Sequence, residues 1–330
     1  MRAVLSTQPG GPETLTLGEV DAPVAAAGQV VIDVAAVGVN YPDVLIIQDL
    51  YQVRPPRPFS PGAELAGVVS ELGAGVEHLS VGQRVLAIPG VGCMAEQVAV
   101  AADACIPIPD EMPFDHAASF LMTYGTSYYA LKQRGHAAAG ESLFILGASG
   151  GVGLAAVQLG KALGLTVIAG CSSQDKVDLC LAQGADHGVV YPRQPLDRDA
   201  QKALSNQIKE LGEGGVDIVY DAVGGDYTEP SLRAMNWEGR LLVVGFPAGI
   251  AKLPLNLTLL KSVNVVGVFW GASVAKEPEV HQTNVSELFD MYRDGAITPL
   301  VTDSYPLDQA ADAITSLMER KATGKVVVVL

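Results

Sequence analysis

The stretch Ser142-Leu143-Phe144-Ile145-Leu146-Gly147-Ala148-Ser149-Gly150-Gly151-Val152-Gly153 constrains this chain more than any other. An apolar run of strand length enters a cluster of small residues. An apolar run at helical spacing (Leu154, Val157, Leu159, Leu163) leaves it. The spacing Ala148-x-Gly150-x-x-Gly153 fits the dinucleotide fingerprint G-x-G-x-x-G with alanine in the first place. Small residues there let the backbone turn sharply, let a pyrophosphate approach the main chain, and let the helix lie close on its strand. The unpaired N–H groups at the helix start then receive the negative charge. Alone, such a string is an ordinary glycine-rich turn. A strand before it, a helix after it and a second apolar strand at 165–169 make it a dinucleotide-binding turn.

Beyond that turn the pattern alternates. Strands are expected at 143–146, 166–169, 188–190, 218–220 and 240–245, with helices at 154–163, 176–183, 200–211 and 228–235 between them. This alternation predicts an α/β fold with a doubly wound parallel sheet. A further apolar strand at 263–270, helices at 279–294 and 310–320, and a terminal strand at 325–330 follow. Before it, residues 1–113 read as short strands (30–34, 64–72, 84–88, 94–100) separated by Pro-Gly and Gly-x-Gly breaks. Such spacing suggests a compact, barrel-like β module, with one short helix at 43–48. Helical spacing returns at 115–120 and 126–134. The expected organisation is a discontinuous β domain, 1–122 with 265–330, around a parallel-sheet domain at 123–264.

At 330 residues the chain accommodates two domains. A formal charge of −15 argues against nucleic acid or an anionic membrane surface as partner, because both need a basic footprint. No basic leader opens the chain, and no apolar run reaches the roughly 18 residues of a membrane helix. Cys93, Cys105, Cys171 and Cys180 form no C-x-x-C pair, and the histidines share no ligand spacing. The expectation is a cytoplasmic protein with no metal.

Roughly 20 residues past a fingerprint, a site preferring the unphosphorylated cofactor places a carboxylate for the ribose hydroxyls. Here the second strand runs into Gly170-Cys171-Ser172-Ser173-Gln174-Asp175-Lys176. Two hydroxyls and a lysine stand where the acid would be, and they suit a 2′-phosphate. Asp175 fits the first turn of the next helix, where a carboxylate meets the positive end of the dipole. A plain helix start with a solvated lysine is the competing reading. NADPH is the expected cofactor.

Four segments carry a family resemblance: Gly38-Val39-Asn40-Tyr41-Pro42-Asp43, Pro61-Gly62-Ala63-Glu64-Leu65-Ala66-Gly67-Val68-Val69, the turn Gly147 to Gly153, and Ala322-Thr323-Gly324-Lys325-Val326. With these the chain resembles the medium-chain dehydrogenase/reductase superfamily over essentially its whole length. Within it, the zinc-free NADPH:quinone oxidoreductase branch that includes ζ-crystallin is the most similar. The resemblance implies a Rossmann domain joined to a GroES-like β domain. Zinc-dependent relatives have a cysteine near Asn40 and a histidine in the block that here reads Pro61-Gly62-Ala63-Glu64, so the ligand set is missing.

The resemblance implies hydride delivery to a quinone or a related conjugated carbonyl such as an enone, with Asn40 and Tyr51 beside the nicotinamide as catalytic residues. Tyr51 would donate to a developing oxyanion and Asn40 would orient the substrate or nicotinamide; either also suits a polar loop anchor. For the cofactor it implies Ser149, Gly150, Gly151 and Val152 at the pyrophosphate, Ser172 and Lys176 at the 2′-phosphate, and Tyr191 along the adenine ribose. Gly245, Phe246, Phe269 and Trp270 would approach the nicotinamide, although an aromatic in a strand is more often core. Thr126 opens a helix toward the cleft, and Lys325 either reaches the cofactor or is solvated. Asp43 caps the short helix, and Asp221 ends a strand at the crevice.

Two alternatives stay open. One is an enoyl-thioester (enoyl-CoA) reductase with Tyr51 as proton donor and Arg54 and Arg57 greeting the coenzyme phosphates. The other is an NADPH-binding protein with little turnover. The apolar strand 263–270 is expected to pair with its own copy in a homodimer, because an exposed edge of that length invites aggregation.

Overall fold

The computed structural model describes residues 1–330. Two compact units divide them: Met1–Met122 with Pro299–Leu330, and Thr123–Thr298. In the first unit β1 (Arg2–Leu5) and β2 (Thr16–Glu19) form an antiparallel pair. Five further strands follow: β3 (Gln29–Val39), β4 (Glu64–Leu72), β5 (Arg84–Ala87), β6 (Gln97–Ala101) and β7 (Cys105–Pro107). β3 is the spine, antiparallel to β4 along one side and to β6 over its first half on the other. Its β-branched residues Val30, Ile32, Val34, Val37 and Val39 pack with Leu65, Val69 and Val85 in one core, as such side chains do on a pleated surface. β3 runs directly into the short helix Tyr41–Ile46, which Pro42 helps to start because its first turn lacks nothing by losing an N–H.

The second unit is built on β8 (Ser142–Leu146), β9 (Thr166–Cys171), β10 (His187–Val190), β11 (Val216–Asp221), β12 (Met235–Val243) and β13 (Asn264–Gly267). All neighbours are parallel, in the order β10-β9-β8-β11-β12-β13. Leu143, Phe144, Ile145 and Leu146 are all fully buried, the continuous apolar run of a strand covered on both faces. The order reverses between β8 and β11, and a doubly wound sheet opens a ligand crevice at the carboxyl ends of the strands at such a reversal.

Three expectations change. The apolar run 263–270 is not one strand: β13 stops at Gly267, and Trp270 opens the helix Trp270–Lys276. The indole is buried against Gly125, where an added Cβ would lie 2.8 Å from a ring atom, and against the His281 ring. Burying that ring ends the strand. Consequently the chain returns to the first unit at Pro299 and not at 265, because β13 pairs with β12 and the helix Pro278–Arg293 buries Val285, Leu288 and Phe289 within the second unit. The expected helix at 126–134 is regular only over Thr126–Tyr128; wider π-helical turns, Leu121–Gly125 and Tyr129–Arg134, flank it.

In the returning segment β15 (Lys325–Val329) lies between β14 (Val301–Pro306), to which it is parallel, and β3, to which it is antiparallel. No helix is long and apolar enough to cross a membrane.

Candidate active site

At the end of β8 the backbone turns on Gly147, whose φ of +75° is open to glycine at no steric cost. That demand falls one residue before the fingerprint's first place, which explains why Ala148 is tolerated there. The last glycine serves packing: a Cβ on Gly153 would lie 2.2 Å from the Gly147 carbonyl oxygen. The helix Gly151–Ala162 then starts from Gly150 with no side chain capping it. Its first N–H groups are thus available to an anion, as a dinucleotide pyrophosphate requires. Ser149 is buried, while Gly150, Gly151 and Val152 are half-buried.

Neighbouring strand ends bring further predicted residues to the same edge of this sheet. Ser172, exposed, follows β9, and half-buried Lys176 lies in the next helix, Gln174–Ala182. Gly245 and Phe246 follow β12; the Gly245 N–H donates to the Asp221 carbonyl oxygen at 3.2 Å, and the Phe246 ring is half exposed. Asp221, at the end of β11, is committed to its own turn. Its carboxylate accepts from the N–H groups of Val223 (2.9 Å) and Gly224 (2.7 Å) and from the Thr228 hydroxyl (2.6 Å). Burial raises its pKa against those donors.

Tyr191 follows β10 at this same edge, with its ring buried against Tyr227 and the centroids 4.6 Å apart. Trp270 is likewise core, whereas Phe269 is exposed. Thr126 is half-buried in its short helix, and its neighbour Tyr124 is buried with its hydroxyl on Gln158 Oε1 at 2.7 Å.

The first unit holds a second constellation, of which sequence reasoning found only part. Lys325, Asn40, Glu64 and Asp43, drawn from β15, the end of β3, β4 and the first turn of the short helix, are all buried. The Lys325 ammonium donates to Glu64 Oε1 (2.9 Å), Asn40 Oδ1 (2.8 Å) and the Val39 carbonyl (3.2 Å). Asn40 Nδ2 donates to Glu64 Oε1 (2.8 Å) and the Gly38 carbonyl (3.1 Å). Glu64 Oε2 accepts from the Met122 N–H at 3.2 Å. Gly38 makes the close approach feasible: a Cβ there would lie 2.0 Å from the Ala118 carbonyl and 2.5 Å from Glu64 Oε1. All three ammonium protons and both amide protons are thereby committed. Lys325, expected at the cofactor or in solvent, is instead the cation of a buried ion pair. The carboxamide of Asn40 is engaged internally.

Asp43 accepts from the Asn40 backbone N–H at 2.7 Å and caps the helix start. Burial pushes its pKa up to about 7; the Asn40 and Gly62 N–H groups and the Lys325 charge oppose this, and the Glu64 charge adds to it. Tyr51, half-buried, has its phenol pKa raised by burial and then by the Asp43 charge. Arg57 is held internally, bidentate on Asp49 (2.9 and 3.1 Å) with its other nitrogen on the Ile47 carbonyl at 3.0 Å. That leaves Arg54, exposed, as the one arginine of its loop open to solvent.

These residues do not fit a catalytic zinc. No group of three or more His, Cys, Asp or Glu side chains gathers as ligands anywhere. Ala63 offers no donor, and the ammonium of Lys325 sits on Glu64.

A parallel dinucleotide-type unit interrupting a β unit defines a two-unit dehydrogenase-type oxidoreductase. Two family models match in chain order, the alcohol dehydrogenase GroES-like domain over residues 26–110 and the zinc-binding dehydrogenase over residues 151–287. The rat quinone oxidoreductase-like protein 2 is 35% identical over 332 residues, covering 100% of this chain and 92% of its own length. The quinone oxidoreductase of Pongo abelii is 30% identical, covering 100% and 98%. The crystal structure of Escherichia coli quinone oxidoreductase complexed with NADPH superposes with a TM-score of 0.90 at 28% identity, with 100% of both chains covered. The chain belongs to the quinone oxidoreductase family of the medium-chain dehydrogenase/reductase superfamily.

Proposed function

We propose that this protein is an NADPH:quinone oxidoreductase that works without zinc. The observation carrying the reading is the edge where β8 and β9 end. An uncapped helix start there stands beside Ser172 and Lys176, with no carboxylate in the strand-end position that would repel a 2′-phosphate. Ser149, Gly150, Gly151 and Val152 hold the pyrophosphate, Ser172 and Lys176 the 2′-phosphate, and Gly245 and Phe246 the nicotinamide end. When bound, the cofactor supplies the hydride.

The chain's own contribution on the acceptor side centres on Tyr51. With its pKa raised, the phenol keeps its proton at neutral pH and donates a hydrogen bond to the oxygen on which charge develops. Asn40, engaged with Lys325 and Glu64, acts as a positioning residue that fixes the end of β3 and the start of the helix carrying Asp43. Conjugation in a quinone stabilises the product oxyanion, which suits a site whose protein acid is this weak.

The family and the internal commitment of Arg57 favour this reading over coenzyme-A thioester reduction. Following NADPH absorbance against a panel of quinones, enones and enoyl-CoAs tests it. Quinone turnover with none on thioesters is expected. Thioester turnover alone overturns it, and tight NADPH binding with no acceptor makes the protein a binder. Tyr51→Phe is expected to lower quinone kcat about a hundredfold, the low end of general-acid effects; an unchanged kcat removes Tyr51 from the mechanism.

We further infer a cytoplasmic homodimer. Four free cysteines suit a reducing compartment. β13 is an unpaired sheet edge, with exposed Val265 on it and exposed Leu259, Leu260 and Phe269 around it, an apolar surface that a second copy would cover. A monomer by light scattering refutes the dimer.

A further inference from the structure

β9 ends in Cys171, and the helix that follows carries Cys180. Their sulfurs lie 3.6 Å apart, with both residues essentially sealed from solvent. Neither thiol has a part in hydride transfer. What surrounds Cys171, however, is the cofactor half-site itself. Alongside the Cys180 hydrogen bond, Ser149 and the Lys176 charge both lower the Cys171 pKa. The same sulfur lies 3.5 Å from the Lys176 carbonyl oxygen, and Ser172 is the next residue.

We propose that Cys171 and Cys180 are a reversible oxidation site, closed to a disulfide by a hydroperoxide, and that this disulfide and bound NADPH oppose one another. The proposal rests on the reading that Ser149, Ser172 and Lys176 hold the cofactor.

The two sulfurs are not equivalent. The hydrogen bond from Cys180 lowers the Cys171 pKa most, and the two Ser149 donors and the Lys176 charge add to it against burial. The same bond and burial push Cys180 up. Cys171 is therefore the attacking thiolate. It attacks the terminal peroxide oxygen, the O–O bond breaks, and the second oxygen takes a proton and leaves as water from hydrogen peroxide or as the alcohol from an organic hydroperoxide; Cys171 becomes a sulfenic acid. The sulfur of Cys180, losing its proton, then attacks the Cys171 sulfur. The S–S bond forms, the S–O bond breaks, and the hydroxide leaves as water with that proton. The two thiols lose two electrons and the peroxide gains them. Cys93 and Cys105 offer no competing pair, since burial raises both, Cys105 to about 11.

A disulfide requires sulfurs about 2.05 Å apart, so the pair must close by roughly 1.5 Å. That movement draws the end of β9 and the helix bearing Lys176 together and takes the Cys171 sulfur from its place on the Lys176 carbonyl. The coupling is reciprocal. A pyrophosphate that takes the Ser149 donors removes them from the thiolate and slows its oxidation. A disulfide that displaces those donors weakens the phosphate contacts.

The test uses the full-length protein. Reduced protein is exposed to hydrogen peroxide with and without saturating NADPH, free thiols are blocked, and peptides are mapped by mass. NADPH affinity is read by fluorescence for reduced, oxidised and dithiothreitol-treated samples. A peptide pair linked through Cys171 and Cys180 is expected, lighter by two hydrogens. NADPH dissociation should weaken tenfold or more on oxidation and recover on reduction, and saturating NADPH should slow linkage several-fold. In Cys180→Ser, and independently in Cys180→Ala, a dimedone-reactive sulfenic acid should accumulate on Cys171 while reduced-state affinity is unchanged. No 171–180 linkage overturns the proposal, as does a linkage that leaves NADPH affinity unaltered. Failure of the reduced protein to bind NADPH at all overturns the cofactor assignment instead, with the linkage judged by mass alone.

Discussion

The two constellations, one in each unit, are built on opposite principles. At the carboxyl edge of the parallel sheet the chain removes side chains, with Gly147, Gly150, Gly151 and Gly153 in one turn and no cap on the helix start. In the β unit the chain packs side chains together until none has capacity to spare, with Lys325, Asn40 and Glu64 hydrogen-bonded to one another in the dry interior. A site made of open backbone can bind a large anion and tolerates change in its surroundings. A site made of mutually committed charges offers little to a ligand, and its value is in holding geometry. It breaks when a single member is removed, because the partner left behind is an uncompensated buried charge.

This contrast can be broken from its most fragile point outward. Lys325→Met strands Glu64 and is expected to cost about 3–5 kcal/mol of stability, with Glu64→Gln added to it restoring part of the loss. Thermal melts of the two single variants and the double read this directly; additive losses show that the pair is not coupled.

Next comes Asp43. Its folded pKa, about 7, lies above its unfolded value of 3.8, so the native state retains a proton that the unfolded state gives up. The stabilisation from the protonated form is therefore complete below about pH 4 and is lost as pH rises through about 7. The slope is up to about 1.4 kcal/mol per pH unit in that window. Urea titrations of wild type and Asp43→Asn across it should show a slope in the first and a flatter line in the second. Parallel curves would mean that Asp43 titrates normally.

On the open side, Gly153→Ala forces a methyl against the Gly147 carbonyl and is expected to cost about 1–3 kcal/mol of stability, the usual cost of overpacking, and to weaken NADPH binding with it. Fluorescence titration measures it, and wild-type affinity would show that the turn can relax. The smallest effect is Lys176→Ala, which should lose about tenfold in NADPH affinity, some 1.4 kcal/mol, and little for NADH. Equal losses for the two cofactors would remove Lys176 from the 2′-phosphate.

The same contrast decided what was legible in the sequence. The cofactor turn is local: strand, small residues and helix lie within one short segment, so spacing alone points to Ser149 to Val152 and, one βα unit on, to Ser172 and Lys176. The buried network is not local, since Asn40, Glu64 and Lys325 come from three distant segments and meet only because β15 pairs with β3. No spacing rule reaches across 285 residues, and a lysine next to a glycine near the chain end reads as solvated until the strand beside it is known. Likewise Tyr191 and Trp270 stand at positions where an aromatic suits either a ligand or a core, and the spacing does not reveal that both rings are buried, against Tyr227 and Gly125. The edge strand was read too long because apolar character continues past Gly267 while the backbone does not remain extended.

The interleaving of the units has a consequence for how the molecule is made. The parallel-sheet unit is one continuous segment, Thr123–Thr298, and can complete its folding as it leaves the ribosome. The β unit cannot. β3 waits for a neighbour that is synthesised nearly three hundred residues later, and until then Glu64 and Asn40 lack their cation. Nascent chains halted before Lys325 should therefore carry a protease-resistant centre flanked by a protease-sensitive amino-terminal arm. Translation of the closing strand is the event that locks the arm.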